Sequence, residues 1–184
     1  MPRRVLSLLA CLIFIPCAFA DVLVQFDFES GWDSWSADNG VWQVGSSCNQ
    51  APYPEPHGGS MFAGTVLCAR YPAETDSRLI SPTIALPTLS PGEEVRVRFW
   101  QWFSYGGCDS GQPQVRSRPS GGAWSAWVSL PGPSASVSQA WSLGGGDLTP
   151  YAGKEIQIGF FHQAQGGYLC ETDGEGWYLD DVWI

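Results

Sequence analysis

Glycine and proline divide this chain into segments too short for anything but strands. Turn-forming pairs stand at Asn39-Gly40, Gly58-Gly59, Pro91-Gly92, Gly106-Gly107, Gly121-Gly122, Gly144 to Gly146 and Gly166-Gly167. Each offers backbone conformations that end regular structure. No stretch between them carries helical periodicity of useful length. Alternation with a period of two is present instead. Val95, Val97 and Phe99 fall on one face with Arg96, Arg98 and Trp100 on the other, and Ile156, Ile158 and Phe160 alternate with Gln157 and Gly159. Further strand candidates run over 22–29, 42–44, 61–67, 78–86, 112–118, 124–130, 141–143 and 177–184. The expected class is all-β: two antiparallel sheets packed face to face as a β-sandwich or jelly roll, with 46–60 as the longest loop.

The first twenty residues read differently. Arg3 and Arg4 precede an apolar stretch from Val5 to Phe19, and Ala18-Phe19-Ala20 forms a small-x-small cleavage site. A secretory signal peptide is expected over 1–20, with a single domain over 21–184 that is exported to the extracellular space or the periplasm. The stretch is short for a membrane span and contains Pro16. Nine Lys and Arg against eighteen Asp and Glu give a net charge of −9, which becomes −11 once Arg3 and Arg4 are removed. An acidic chain with no basic run is a poor partner for nucleic acid or for an anionic membrane, so neither nucleic-acid binding nor membrane insertion is expected.

Four cysteines remain after the signal: Cys48, Cys68, Cys108 and Cys170. An even number in an exported chain reads as two disulfides. Zinc is disfavoured, because no Cys-x-x-Cys occurs and neither His57 nor His162 stands at ligand spacing from a cysteine. Cys48–Cys68 is the expected bridge across the long loop. Cys108–Cys170 is expected to tie two glycine-rich loops that each follow an aromatic strand.

The last strand carries an anomaly. In strict alternation Asp180 shares a face with Val182 and Ile184, which belong to the core. A buried carboxylate must be paired, hydrogen-bonded or metal-bound. Asp27 and Glu29 of the first strand are candidate neighbours, and a hard cation, Ca²⁺, would satisfy the group. Equally, a bulge could turn Asp180 outward, or loop amides could donate to it.

Four blocks in order carry a family resemblance: Phe26-Asp27-Phe28-Glu29 with Gly31-Trp32, Arg78-Leu79-Ile80-Ser81-Pro82, Val95 to Trp100, and the closing Gly176 to Ile184. Together they resemble the MAM domain and its bacterial relatives of the cleaved-adhesin type. The resemblance implies a galactose-binding-like jelly roll used in adhesion, recognition or carbohydrate binding. It also implies a structural Ca²⁺ held by Glu29, Asp180 and Asp181.

Ten tryptophans in so short a chain are the other conspicuous feature. Most are expected in the core, since large aromatics dominate core burial. Trp100 and Trp102 share the outward face of their strand with Arg96 and Arg98, and these four residues form a candidate platform for stacking on a sugar ring. Trp124 and Trp127, three apart, cannot share a strand face without a bulge, so one of the pair is expected inside.

Catalytic signatures are thin. Glu171 and Glu175 have the alternation of some jelly-roll glycosidases, but Thr172, Gly174 and Gly176 around them describe an acidic loop. The function expected is therefore recognition of an extracellular ligand, carbohydrate ahead of a surface protein. A polysaccharide hydrolase or lyase using Glu171 and Glu175, and a structural matrix or adhesion subunit, are the alternatives.

Overall fold

The computed structural model describes residues 21–132, 137–138, 140–166 and 174–184. The expected signal peptide lies outside the described residues, as do Cys170 and Glu171. Twelve strands follow in chain order: β1 (Gln25–Phe26), β2 (Ser36–Ala37), β3 (Trp42–Ser46), β4 (Met61–Thr65), β5 (Thr75–Ile80), β6 (Ile84–Ala85), β7 (Arg96–Ser104), β8 (Ser110–Arg118), β9 (Val128–Ser129), β10 (Ser142–Asp147), β11 (Glu155–Ala164) and β12 (Gly176–Trp183). One short 3₁₀ turn, Thr149–Tyr151, precedes β11. All pairings are antiparallel. Sheet A has the order β10-β7-β12-β4-β3, with β1 also on β12. Sheet B has the order β2-β5-β11-β8-β9, with β6 also on β11. The two-sheet β-sandwich read from the turn pattern is the fold.

Phe160 of β11 is fully buried and joins the layers. Its ring lies 4.9 Å from Phe99 of β7 and 5.4 Å from Trp177 of β12, both in sheet A. On a third side Trp35 stacks on it at 5.9 Å, and Phe26 and Phe28 pack on Trp35 in turn. Val97, Leu79, Val115, Ile156 and Ile158 fill the rest of the inner faces. Only Trp35, Trp42 and Trp177 of the ten tryptophans are buried in this core, so the expectation that most would be inside does not hold. The others lie half-buried or exposed, on the strands' outer faces or in loops.

At one end of the core the buried His162 stands 3.3 Å from the Tyr105 hydroxyl. Burial holds its pKa down at about 4, against a weaker upward pull from Asp109. Asp109 in turn accepts from the Tyr71 hydroxyl at 2.6 Å and from the Gln165 amide at 2.8 Å.

Two elements depart from the turn reading. Gly144 to Gly146 do not turn; they run through β10 in register with Phe99, Arg98 and Val97. A Cβ at Gly144 would stand 2.3 Å from the Phe99 ring, and one at Gly145 2.6 Å from the Val97 carbonyl oxygen, so glycine permits the close pairing. The expected strand 78–86 is broken at Pro82 into β5 and β6, because proline cannot donate to the ladder.

Replacing Phe160 by Ala removes the ring shared by both layers. The expected cost is about 3–5 kcal/mol of unfolding free energy in urea titration; a loss below about 1 kcal/mol would show that the layers are held elsewhere.

Candidate functional site

The expected platform of Trp100, Trp102, Arg96 and Arg98 is not an open surface. Its residues lie on the outer face of β7, but the 47–60 loop covers the aromatic part. The His57 ring stacks on Trp100 at 4.0 Å. Trp102 packs edge-on against Tyr178 at 5.5 Å, in a cluster with Phe62, Leu67, Tyr53 and Trp141. The Trp141 indole N–H donates to the Glu55 carbonyl at 2.9 Å, which holds the loop down. Arg96 pairs with Glu94 in solvent, and both Arg96 and Arg98 border a groove lined by Asp21, Val22, Leu23 and Trp183, which does not include the tryptophan pair.

Asp180 explains why the loop lies there. Asp181 has φ 44°, and the β12–β7 register shifts between Asp180 and Trp183. This bulge reverses the alternation, so Asp180 faces outward beside Trp100 while Val182 and Ile184 stay inside. The loop buries Asp180 completely. Its Oδ2 accepts from the His57 and Gly58 amides at 2.9 and 3.0 Å, and its Oδ1 from the Asp181 amide at 2.8 Å. Burial raises its pKa to about 6, while the three amides pull the other way. Asp181 Oδ2 lies 2.8 Å from His57 Nδ1. Glu29 grips the next residues: Oε1 accepts from the Ser60 and Met61 amides at 2.7 and 2.8 Å, and Oε2 from the Ser60 hydroxyl at 2.8 Å. Those donors hold the Glu29 pKa below the usual value. Among the described residues Asp27 accepts only the Glu29 amide, at 3.1 Å.

Three of the four carboxylates expected to hold Ca²⁺, Glu29, Asp180 and Asp181, are therefore turned toward donors of the 57–61 segment, and Asp27 takes the Glu29 amide. Among the described residues no group of three or more His, Cys, Asp or Glu side chains could hold a metal ion. An oxygen already facing amide hydrogens suits a donor, not a cation, so the residues do not fit the expected calcium cage.

The cysteines also differ in part. Cys48 and Cys68 remain thiols in hydrogen-bonding contact, Cys48 donating to the Leu67 carbonyl at 3.8 Å, so the expected bridge is not formed. Cys108 is disulfide-bonded; its expected partner, Cys170, lies outside the described residues. Of the acidic pair weighed for catalysis, Glu175 accepts a short hydrogen bond from the Ser104 hydroxyl.

The outer face of sheet B carries what sequence reasoning missed. Alternation along β8 turns Gln112, Gln114, Arg116 and Arg118 outward. The partner strands place Phe161 opposite Gln112, Gly159 opposite Gln114, Gln157 opposite Arg116 and Glu155 opposite Arg118. Arg78 of β5 stands opposite Phe161. After β8 the chain turns at Gly121 and returns along its edge. The Ser125 amide donates to the Ser117 carbonyl at 2.9 Å, yet Val128 pairs with Val115, which leaves one extra residue between these pairs. The bulge sets both Trp124 and Trp127 on the outer face, half-buried, and neither enters the core.

An alternating ladder of aromatic rings and guanidiniums results. Arg78 lies 4.5 Å from the Phe161 ring centroid and 4.8 Å from that of Trp127, Arg116 lies 4.6 Å from Trp127 and 4.9 Å from Trp124, and Arg118 lies 4.3 Å from Trp124. Gly159 makes room for it: a Cβ there would stand 2.8 Å from both the Trp127 ring and Arg78 Cδ. Polar contacts fix each guanidinium. Arg78 donates to Asp38 at 3.1 Å and to Gln114 at 2.9 Å, Arg116 to Gln157 at 2.9 and 2.6 Å, and Arg118 to Glu155 at 2.6 Å. Partial burial and the charges of Arg78 and Arg118 lower the Arg116 pKa, though an arginine stays cationic at neutral pH. The legible signal was the spacing of Trp124 and Trp127, together with Arg116 and Arg118 two apart on a strand.

No family model matches the sequence, and no curated protein matches it. Similar backbones occur among solved structures. TmCBM61 in complex with β-1,4-galactotriose shares 18% identity over 85% of this chain and 92% of that one, with a TM-score of 0.51. The CBM22-1 xylan-binding domain of Paenibacillus barcinonensis Xyn10C shares 15% over 91% and 96%, with a TM-score of 0.53. The K2 cleaved adhesin domain of Lys-gingipain shares 18% over 86% and 96%, with a TM-score of 0.49. At these identities the likeness is one of fold.

Two results are expected at the carboxylate clamp. Asp180→Ala leaves the part-buried amides of His57, Gly58 and Asp181 without their acceptor and costs about 2–4 kcal/mol in urea unfolding. EDTA leaves the melting temperature unchanged; a rise on adding Ca²⁺ would contradict the amide-held arrangement.

Proposed function

We propose that this chain is an exported recognition module that binds carbohydrate on the outer face of sheet B. The observation that carries the reading is the guanidinium–aromatic ladder from Phe161 to Arg118, bordered by the amides of Gln112, Gln114 and Gln157. Such a face has the two kinds of group a sugar needs. The uncovered parts of Trp124 and Trp127 offer apolar surface for a ring's C–H face, and fixed amide and guanidinium groups read its hydroxyls. Holding each arginine against an indole lowers the entropy lost on binding. The fold supports the reading as well, since two of the similar structures are described as a module in complex with galactotriose and as a xylan-binding domain.

The narrower likeness to MAM domains rests on the sequence blocks alone. Export rests on the signal-like residues 1–20; among the described residues no helix is long and apolar enough to cross a membrane. A surface protein is the alternative ligand, because it could meet the same guanidiniums.

Isothermal titration against a panel of soluble polysaccharides tests the reading. At least one polymer should bind, and Trp124→Ala or Trp127→Ala should weaken it about tenfold, roughly 1.4 kcal/mol. Gly159→Leu, which pushes Trp127 and Arg78 aside, should do the same. Binding that survives all three variants but disappears in the Arg96→Ala, Arg98→Ala double variant would move the site to sheet A.

A further inference from the structure

Positive charge is scarce in this chain and concentrated on the face just described. Between Asp21 and Ile184 there are seven Lys and Arg against eighteen Asp and Glu, and three of the seven, Arg78, Arg116 and Arg118, belong to the ladder. Two of them are neutralised in place. Asp38 holds Arg78 through Oδ2 at 3.1 Å and takes the Arg78 backbone amide through Oδ1. Glu155 holds Arg118 through Oε2 at 2.6 Å and takes the Ser120 hydroxyl through Oε1 at 2.9 Å.

Arg116, between them, makes no ion pair among the described residues; Asp38, engaged by Arg78, exerts only a weaker pull on it than burial and the two neighbouring arginines exert against it. Its Nε and Nη2 both donate to one neutral amide oxygen, Oε1 of Gln157. Among the described residues its Nη1 has no hydrogen-bond acceptor. The remaining carboxylate of this face, Asp76, is opposite Gln163, three outward rows along β11 from Gln157. At about 6.6 Å per row that is roughly 20 Å away, beyond a Debye length at physiological salt.

A half-buried guanidinium flanked by two others is costly to leave without a counter-charge. Here the fold spends aromatic contacts with Trp124 and Trp127 to hold it in one orientation. A planar, pre-positioned guanidinium with an unused edge suits an oxyanion, which it can bind with paired hydrogen bonds.

We infer that the ligand of this face is an acidic glycan, a polymer whose sugars carry carboxylate or sulfate groups, and that Arg116 pairs with the anion. The inference rests on the carbohydrate reading and narrows it. The two neighbouring arginine–carboxylate pairs then act as frame, their carboxylates already engaged by Arg78 and Arg118. Among the described residues Gln112 Oε1 and Gln114 Nε2 are left for the hydroxyls, since Gln157 is engaged by Arg116 and by the Ser81 carbonyl. The net acidity of the chain sharpens selectivity, since a polyanion gains little from surfaces where carboxylates outnumber cations.

Matched polymers test the inference in the whole exported chain. Binding at fixed ionic strength is measured for dextran sulfate against dextran, and for polygalacturonate against its carboxyl-reduced form. The expected result is that at least one acidic polymer binds about tenfold or more tighter than its uncharged match, and which arm shows it distinguishes sulfate from carboxylate. Arg116→Gln should bring that pair close to parity, while Arg116→Lys retains part of the preference. Equal binding of acidic and neutral polymers by the unaltered chain overturns the inference and leaves the carbohydrate reading standing. A preference that survives in a folded Arg116→Gln variant overturns the role of Arg116. If that variant does not fold, the unaltered chain and Arg116→Lys still decide. Binding of none of the four polymers, or of any other polysaccharide, overturns the reading itself.

Discussion

The packing of Phe160 between Trp35, Phe99 and Trp177 sets which way every other residue of β11 points. A strand has two faces and no others, so fixing Phe160 inside commits Ile156 and Ile158 to the core, and Gln157, Gly159 and Phe161 to the outside. Since β11 lies between β5 and β8, its register aligns Arg78 on one side and Gln112 to Arg118 on the other. The outer face of sheet B is thus the reverse side of the core. A change of register by one residue would bury the polar face and expose the apolar one, which is why the core's stability and the site's geometry are coupled.

The outer face of sheet A obeys a different constraint. There a single bulge at Asp181 presents the Asp180 carboxylate to the amides of His57 and Gly58, and the 47–60 loop is drawn down over Trp100, Trp102 and Tyr178. Both sheets carry aromatic outer faces, and one is closed by the chain itself. What separates them is the polar partner: sheet A is covered by a loop held on carboxylates, whereas on sheet B arginines stand among the rings. The loop-bound face contributes stability, and the arginine-bearing one carries the proposed site.

The sandwich was legible because strict alternation in 95–100 and 156–160 and the frequency of turn residues leave few other folds. The position of the candidate site was not. Exposure of Trp100 was inferred from its place on a strand, but whether a distant loop covers that strand depends on Asp180, 123 residues from His57 in the chain. The oddity of Asp180 was visible, and the amide-donor reading was among those open. The bulge that produces it lies in a positive φ at Asp181, a conformation aspartate tolerates but does not by itself announce. Trp124 and Trp127 were similarly ambiguous, since their common face needs an extra residue in the return strand. Gly144 to Gly146 misled for a plain reason: glycine serves close approach as well as turning, and only the Phe99 ring beside Gly144 decides between them.

The central claim is that ligand meets the indole–guanidinium ladder of sheet B and leaves the covered aromatics of sheet A untouched. Nitrogen-15 NMR of the indole N–H groups during titration with an acidic oligosaccharide tests it most directly, because each tryptophan reports its own surroundings. The account predicts that the Trp124 and Trp127 signals shift progressively with ligand while those of Trp100, Trp102 and Trp141 stay in place. Shifts confined to Trp100, Trp102 and Trp141 would contradict it.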